Sequence, residues 1–196
     1  DQVIIAKALE DGVETAWDRF IDQQPQCGFG QLGLCCNRCA MGPCRIEPFG
    51  KKPDRGVCGA TAETIVARNL LDDLSTGAAA HSDHGREVLE VLLETAVGKS
   101  QGYQITDETK LKAIAAEYGI NTENRKKEEI AEDVARAMLE EYGTLKNRIQ
   151  MAERAPEKTK DTWKRLGIVP RSVDREIVES MHRIHMGVGA DYVNIL

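Results

Sequence analysis

The sequence has few aromatic residues and no recurrent alternation of apolar and polar residues. Phe, Trp and Tyr together make up 5% of its 196 residues, a profile that argues against an all-β fold. No apolar run reaches the length of a membrane-spanning helix. The net charge of −6, without a basic stripe that could follow a phosphate backbone, argues against nucleic-acid binding. A helical protein without a transmembrane segment is the class that remains.

Features of a secretory signal peptide are also missing from residues 1–10, which carry neither a basic start nor a small-residue cleavage site. We therefore expect a cytoplasmic, reducing location, where cysteines bind metals or catalyse reactions more often than they form disulfides. The chain begins at Asp1 rather than Met and ends on Ile195-Leu196. From this we expect it to be part of a longer protein.

Hydrophobic periodicity predicts a mainly α fold, a helical bundle forming one domain over residues 1–196. Seven glycines and four prolines in 25–59 predict a loop there, with its cysteine-bearing part at 27–58. Residues 75–80 are predicted to be either a small-residue break or a tightly packed helix. The remaining predicted helices cover 2–24, 61–74, 83–97, a segment capped by Thr106 and stopped by Gly119, 122–142, a polar segment at 145–166 around Pro156, and a segment capped by Ser172 and closed by Gly187 and Gly189.

All six cysteines lie between residues 27 and 58. Four of them, Cys36, Cys39, Cys44 and Cys58, have three short spacings and one remote member. This layout lets one chain encircle an iron–sulfur cube, since the close thiolates bind one side and a later segment closes the other. Gly42-Pro43 predicts a turn between the second and third ligands.

Cys27 and Cys35 remain, and two thiolates do not complete a four-ligand site. A two-fold axis would complete the four-ligand site, because two identical chains then supply two cysteines each to one shared cluster. Since Cys35 and Cys36 are adjacent, we expect their side chains to point to different sites. Structural zinc is a weaker interpretation, because it favours two C-x2-C pairs and only one is present. A disulfide framework is weaker still.

The four histidines form two His-x2-His pairs, His81 with His84 and His182 with His185. Residues three apart share one helix face, and such pairs are often structural. Histidine also titrates near neutral pH, so a row of histidines can relay protons. Small residues around His81 leave room for a site there, whereas a structural role is the expectation for the second pair.

The cysteine run from Cys27 to Ile46, with residues 56–60, resembles the N-terminal region of the anaerobic nickel–iron carbon monoxide dehydrogenases. The resemblance extends to residues 80–85 and 181–187. It implies that a [4Fe–4S] cluster is bound within the subunit by Cys36, Cys39, Cys44 and Cys58. It also implies that Cys27 and Cys35 hold a cluster shared across a homodimer, that His81 is an acid–base residue, and that His84 belongs to an outward proton path. Some members continue the histidine row where this chain has Glu87 and Glu90.

The reaction implied by this resemblance is the oxidation of CO with water to CO2, two electrons and two protons. Its nickel–iron–sulfur cluster needs further thiolates, and no cysteine follows Cys58. We therefore expect this chain to be an N-terminal helical domain that carries electrons and forms dimers. A ferredoxin-type acceptor and an acetyl-CoA synthase subunit are the partners that the family implies. The rival interpretations are a free-standing ferredoxin-like electron carrier and a zinc-stabilised interaction domain.

Overall fold

A computed structural model describes residues 2–144, 149–185 and 188–196. Over these ranges the fold is mainly α with a short antiparallel strand pair, which confirms the predicted fold class. The strands are β1 (Cys35–Cys36) and β2 (Cys44–Arg45), and a 3-10 helix covers Gln150–Arg154. The helices are α1 (Gln2–Glu10), α2 (Ala16–Asp22), α3 (Gly28–Gln31), α4 (Ala62–Ala96), α5 (Glu108–Glu117), α6 (Lys127–Leu139), α7 (Glu157–Leu166), α8 (Val173–Ile184) and α9 (Tyr192–Ile195).

The chain divides into two units. The first unit comprises residues 1–69, 190–194 and Leu196, and it carries all six cysteines. The second comprises residues 70–189 and Ile195, and it carries all four histidines. The candidate ligands and the candidate acid–base residues therefore belong to different units.

The predicted single helix over 2–24 is wrong, because the structure has two helices there. Gly12 adopts a left-handed φ of 65°, a conformation that ends a helix and that glycine adopts without a Cβ penalty. Thr15 then caps α2, since its backbone N–H donates to the Asp18 carboxylate at 2.7 Å. Of the described residues in α1 and α2, none is buried. The apolar side chains recur at helical spacing as predicted, but they are exposed.

Helix α4 is continuous over 35 residues, so the break predicted at 75–80 is absent. The helical alternative for this stretch is correct, although residues 76–80 are exposed rather than tightly packed. The Ser75 hydroxyl donates to the Leu71 carbonyl at 2.6 Å, which satisfies this polar side chain inside the helix. Among the described helices, even α4 is not apolar enough to cross a membrane.

A small apolar core joins α5 and α6 in the second unit. As predicted, apolar residues at helical spacing form it, and partly buried side chains including Leu92, Ile105 and Met138 pack around it. Its buried members are Leu111, Ala115, Ile130, Ala131 and Val134.

The boundaries of α5 and α6 differ from their predicted positions. The cap of α5 is Asp107, not Thr106, because the Asp107 carboxylate accepts the Lys110 backbone N–H at 2.8 Å. Helix α6 begins at Lys127, five residues after the predicted start. Before it, the Asn121 side chain accepts the Glu123 backbone N–H at 3.0 Å and holds a turn.

The C-terminal helices match their predicted extents only in part. The predicted helical segment around Pro156 is divided there, into the 3-10 helix that ends at Arg154 and α7, which begins at Glu157. The predicted cap Ser172 precedes α8 and accepts the Arg175 backbone N–H at 3.0 Å. Residues 145–148 of the predicted polar segment lie outside the described residues, as does the predicted stop Gly187. Helix α8 already ends at Ile184. The sequence did not predict α9, a short helix capped by Asp191.

Replacing Ile130, which is 0% exposed, by alanine should lower the free energy of unfolding by about 2–5 kcal/mol, because the truncation leaves a cavity in the α5–α6 core. Urea unfolding followed by helical circular dichroism measures this loss. Ile168→Ala is the matched control, since Ile168 is 57% exposed and its truncation should cost less than about 0.5 kcal/mol. Equal losses in the two variants would show that the core is not where the structure has it.

Candidate functional site

The cysteine loop rests on the first turns of α4. Ile46 and Ile65 are buried together with Ala60, and Cys36 packs against this group with its side chain partly covered. Burying these apolar side chains ties the loop to the helix. The Asn69 side-chain amide adds two hydrogen bonds, to the Gly33 carbonyl at 2.9 Å and the Cys35 carbonyl at 3.0 Å. The loop backbone before Cys36 is thereby held against α4.

The strand pair brings two of the predicted ligands into register. In the antiparallel β1–β2 pair, Cys36 lies opposite Cys44 and Cys35 lies opposite Arg45. Successive side chains of a strand point to opposite faces. Accordingly Cys36 packs on the small core, whereas Cys35 is exposed.

Gly42 lets the ligand-bearing backbone segments approach closely. A Cβ on Gly42 would lie 3.1 Å from the Cys36 carbonyl oxygen and 3.2 Å from the Cys44 backbone nitrogen. The Gly42 N–H donates to the Cys39 carbonyl at 3.2 Å. This hydrogen bond closes the turn that was predicted between Cys39 and Cys44. A Cβ on Gly56 would be 3.7 Å from the Cys44 sulfur. Only glycine leaves the Cys36–Cys44 turn undistorted.

Two N–H groups lie within hydrogen-bonding distance of cysteine sulfurs. The Val57 backbone N–H donates to Cys44 Sγ at 3.5 Å, and Arg68 Nη1 lies 3.7 Å from Cys58 Sγ. The Ala60 backbone amide and then the Arg68 guanidinium lower the pKa of Cys58, and both favour the thiolate form that binds metals.

Cys27 begins α3 and is exposed. The backbone amides of Gly30 and Phe29 lower the pKa of Cys27. The Arg45 guanidinium lies 4.9 Å from the centre of the Phe29 ring, a cation–π contact that places a positive charge on this side of the loop. Cys27 and Cys35 are thus both exposed thiols beside the Phe29–Arg45 pair.

The donor set fits an iron–sulfur cluster. All six cysteines are free thiols, and thiolates are the ligands that hold such clusters. Among the described residues, no three His, Cys, Asp or Glu side chains form a tight group. The N–H groups directed at the Cys44 and Cys58 sulfurs suit thiolates that bind a cluster.

His81 is exposed on α4, and its ring orientation is set by one hydrogen bond. Its Nδ1 lies 2.9 Å from the Gly77 carbonyl oxygen. A carbonyl only accepts, so Nδ1 carries a proton and Nε2 is the nitrogen that can exchange one. His84, one turn later, is also exposed. His182 and His185 are exposed as well.

Contacts with α8 and Tyr142 hold the turn of α4 that carries the first histidine pair. The Ser82 hydroxyl and the Arg86 guanidinium both donate to the Asp174 carboxylate, at 2.7 and 2.8 Å. The Arg86 guanidinium also stacks over the Tyr142 ring at 5.3 Å. Gly85 makes room for Tyr142, since a Cβ there would lie 2.7 Å from the Tyr142 hydroxyl.

A cavity of about 510 Å³ opens beside His84 and Glu87. Side chains from the last turns of α4, from the loop after it and from α5 line this cavity, and most of them are apolar. His81 is not among the lining residues. His84 and Glu87 are among its polar lining residues.

Sequence analysis missed two residues of the cysteine site, Arg68 and Asn69. Both reach the loop from α4, ten or more residues beyond Cys58. A signal for Arg68 was present, because a charged residue three positions after Ile65 falls on the apolar face of α4. Asn69 carries no comparable signal, since polar residues on a helix surface are ordinary.

This chain is similar to proteins named carbon monoxide dehydrogenases. Carbon monoxide dehydrogenase 1 of Methanosarcina acetivorans is 52% identical over 195 residues, which is 100% of this chain and 31% of that protein. The carbon monoxide dehydrogenase/acetyl-CoA synthase subunit beta of Moorella thermoacetica is 39% identical, over 98% of this chain and 29% of its own length. The chain therefore spans about a third of the relatives that it matches.

Solved structures agree with this relationship. A nickel-free crystal structure of carbon monoxide dehydrogenase from Thermococcus sp. AM4 superposes with a TM-score of 0.90 at 52% identity, covering 97% of this chain and 30% of that one. The model of the Prismane/CO dehydrogenase family matches residues 34–196. This chain belongs to the Prismane/CO dehydrogenase family.

Proposed function

We propose that this chain is the N-terminal, cluster-binding and dimer-forming domain of an anaerobic nickel-dependent carbon monoxide dehydrogenase. The reaction of the whole enzyme is CO + H2O to CO2, two electrons and two protons. The observation that carries this proposal is the strand pair, which turns Cys36 toward Cys44 and the helix core while it leaves Cys35 exposed. One loop thereby offers two separate sets of thiolates. The family match supports the same conclusion.

The thiolates of Cys36, Cys39, Cys44 and Cys58 would hold a [4Fe–4S] cluster within the subunit. When bound, such a cluster stores and passes single electrons. The chain's own part is to supply thiolates, to leave room for the turn at Gly42, and to direct N–H groups at sulfur. Hydrogen bonds to cluster sulfurs are among the features that set a cluster's potential.

The thiolates of Cys27 and Cys35 would hold a second cluster jointly with the same residues of a partner copy. Both thiols are exposed, and two thiolates per chain satisfy a four-ligand cluster only across a two-fold axis. The Arg45–Phe29 pair beside them places a cation near the accumulating negative charge. A homodimer is therefore part of the proposal.

His81 is the proposed acid–base residue, and its Nε2 is the atom that exchanges a proton. The Gly77 carbonyl keeps the other ring nitrogen protonated in both charge states of the ring. His84, on the same helix face, is the proposed next member of an outward path, and it opens on the cavity beside Glu87. The Ser82–Asp174–Arg86 contacts hold this turn of α4 in place.

The nickel–iron–sulfur cluster requires thiolates that this chain does not offer, since its six cysteines are assigned to the other two clusters. We assign those ligands to the remainder of the longer enzyme, as the threefold greater length of the relatives suggests. A cytoplasmic enzyme with a ferredoxin-type electron acceptor is the setting that we propose. An acetyl-CoA synthase subunit is a further partner, because one relative carries that activity in its name.

In the full-length enzyme, the double variant Cys27→Ala/Cys35→Ala should lose one cluster per dimer, because the shared site loses all its thiolates. Iron and acid-labile sulfide analysis, together with electron paramagnetic resonance, measures the loss. Cys36→Ala is the matched control and should remove the signal of the other cluster instead. Full retention of iron in the double variant would refute the shared site.

Replacing His81 by alanine should lower kcat for CO oxidation by roughly 10²–10⁴-fold, the usual contribution of a positioned acid–base group. Nickel and iron contents should not change. His182→Ala serves as control, since His182 is equally exposed and has no proposed role. Unchanged turnover in the His81 variant would end the acid–base assignment.

Gly42→Ala should prevent assembly of the cluster within the subunit, because the added Cβ meets backbone atoms of Cys36 and Cys44 at 3.1–3.2 Å. The measured quantity is the amplitude of the signal that Cys36→Ala abolishes. Gly28→Ala is the control, since a Cβ there has nothing within 4 Å. A normal signal from Gly42→Ala would contradict this prediction, because it would show that the turn accommodates the added Cβ and still binds the cluster.

A further inference from the structure

Arg68 is a buried cation in the first unit. It lies on the second turn of α4 and is 2% exposed, among the most completely covered large side chains of the described residues. It shares its helix face with Thr64 and Ile65, both also buried. Arginine is almost never fully buried unless it serves a partner. Its position therefore calls for a specific interaction.

One partner of Arg68 is the last cysteine of the loop. Its Nη1 lies 3.7 Å from Cys58 Sγ, within the range of an N–H···S hydrogen bond. Arginine stays protonated in proteins, so this contact brings a permanent positive charge to the sulfur.

The effect of a charge depends on its surroundings. A buried charge acts through a medium of lower effective dielectric constant than water, and salt screens it less. Arg55 offers the contrast, because it is only three residues from Cys58 in sequence but is exposed to solvent. Of these two cations, Arg68 should act on the thiolate far more strongly.

We propose that Arg68 is a positioning residue that raises the reduction potential of the cluster bound by Cys36, Cys39, Cys44 and Cys58. This inference rests on the proposed function. Reduction adds one electron to the cluster and its thiolates, and the added negative charge is stabilised by the fixed guanidinium and by its hydrogen bond to Cys58. The guanidinium stabilises the oxidised cluster less, because that form carries one negative charge fewer. The difference favours the reduced form and so raises the potential.

The test uses the full-length enzyme with Arg68→Met, which keeps much of the buried volume and removes the charge, and with Arg68→Lys, which keeps the charge. The cluster signal is identified as the one that Cys58→Ala abolishes, and its midpoint potential is measured by redox titration with electron paramagnetic resonance. Arg68→Met should lower the equilibrium constant for reduction at least tenfold, a shift of 59 mV for one electron. Arg68→Lys should restore most of this shift.

Arg55→Met is the matched control and should change the equilibrium constant less than twofold. If Arg68→Met does not assemble the cluster, Arg68→Gln takes its place, since glutamine retains an N–H donor without the charge. A cluster that assembles in the neutral variant with less than a twofold change overturns the proposal. If Cys58→Ala abolishes no signal at all, the proposed function fails instead, whatever Arg68 does.

Discussion

The cysteine loop depends on the first two turns of α4 for its shape. The loop contains two short strands, a one-turn helix and several turns closed by backbone hydrogen bonds. Helix α4 adds three contacts to these: Ile65 packs under the loop, the Asn69 amide donates to the Cys35 carbonyl, and the Arg68 guanidinium lies at Cys58. Thiolate positions in the first unit are therefore coupled to a rigid helix.

This arrangement addresses a basic electrostatic difficulty. Several thiolates close together repel one another, and burying uncompensated charge is costly. The loop lowers that cost with a backbone N–H group at Cys44 and with the Arg68 charge at Cys58. Cys36, Cys39 and Cys44 are partly covered, whereas Cys27, Cys35 and Cys58 are exposed.

The sequence predicted much of the helical fold, and its errors have physical causes. Periodicity located α5 and α6, because both bury apolar residues at helical spacing, although their predicted starts were displaced, and the Ser172 cap located α8. The break between α1 and α2 was missed, because the apolar spacing continues across Gly12 although the backbone there does not. The continuity of α4 was left open, because small residues at 75–80 suit a break and a helix equally.

The site, like the fold, was predictable from the sequence only in part. The sequence alone determined which side chains are available as ligands, how they are spaced and which family they resemble, because local spacing and residue chemistry are properties of the chain itself. Only the tertiary structure decided that Cys36 packs on the core of Ile46 and Ile65, that Arg68 reaches Cys58, and that the Asn69 amide binds the Cys35 carbonyl. These outcomes depend on contacts between residues distant along the chain or on backbone geometry, and no local pattern specifies them.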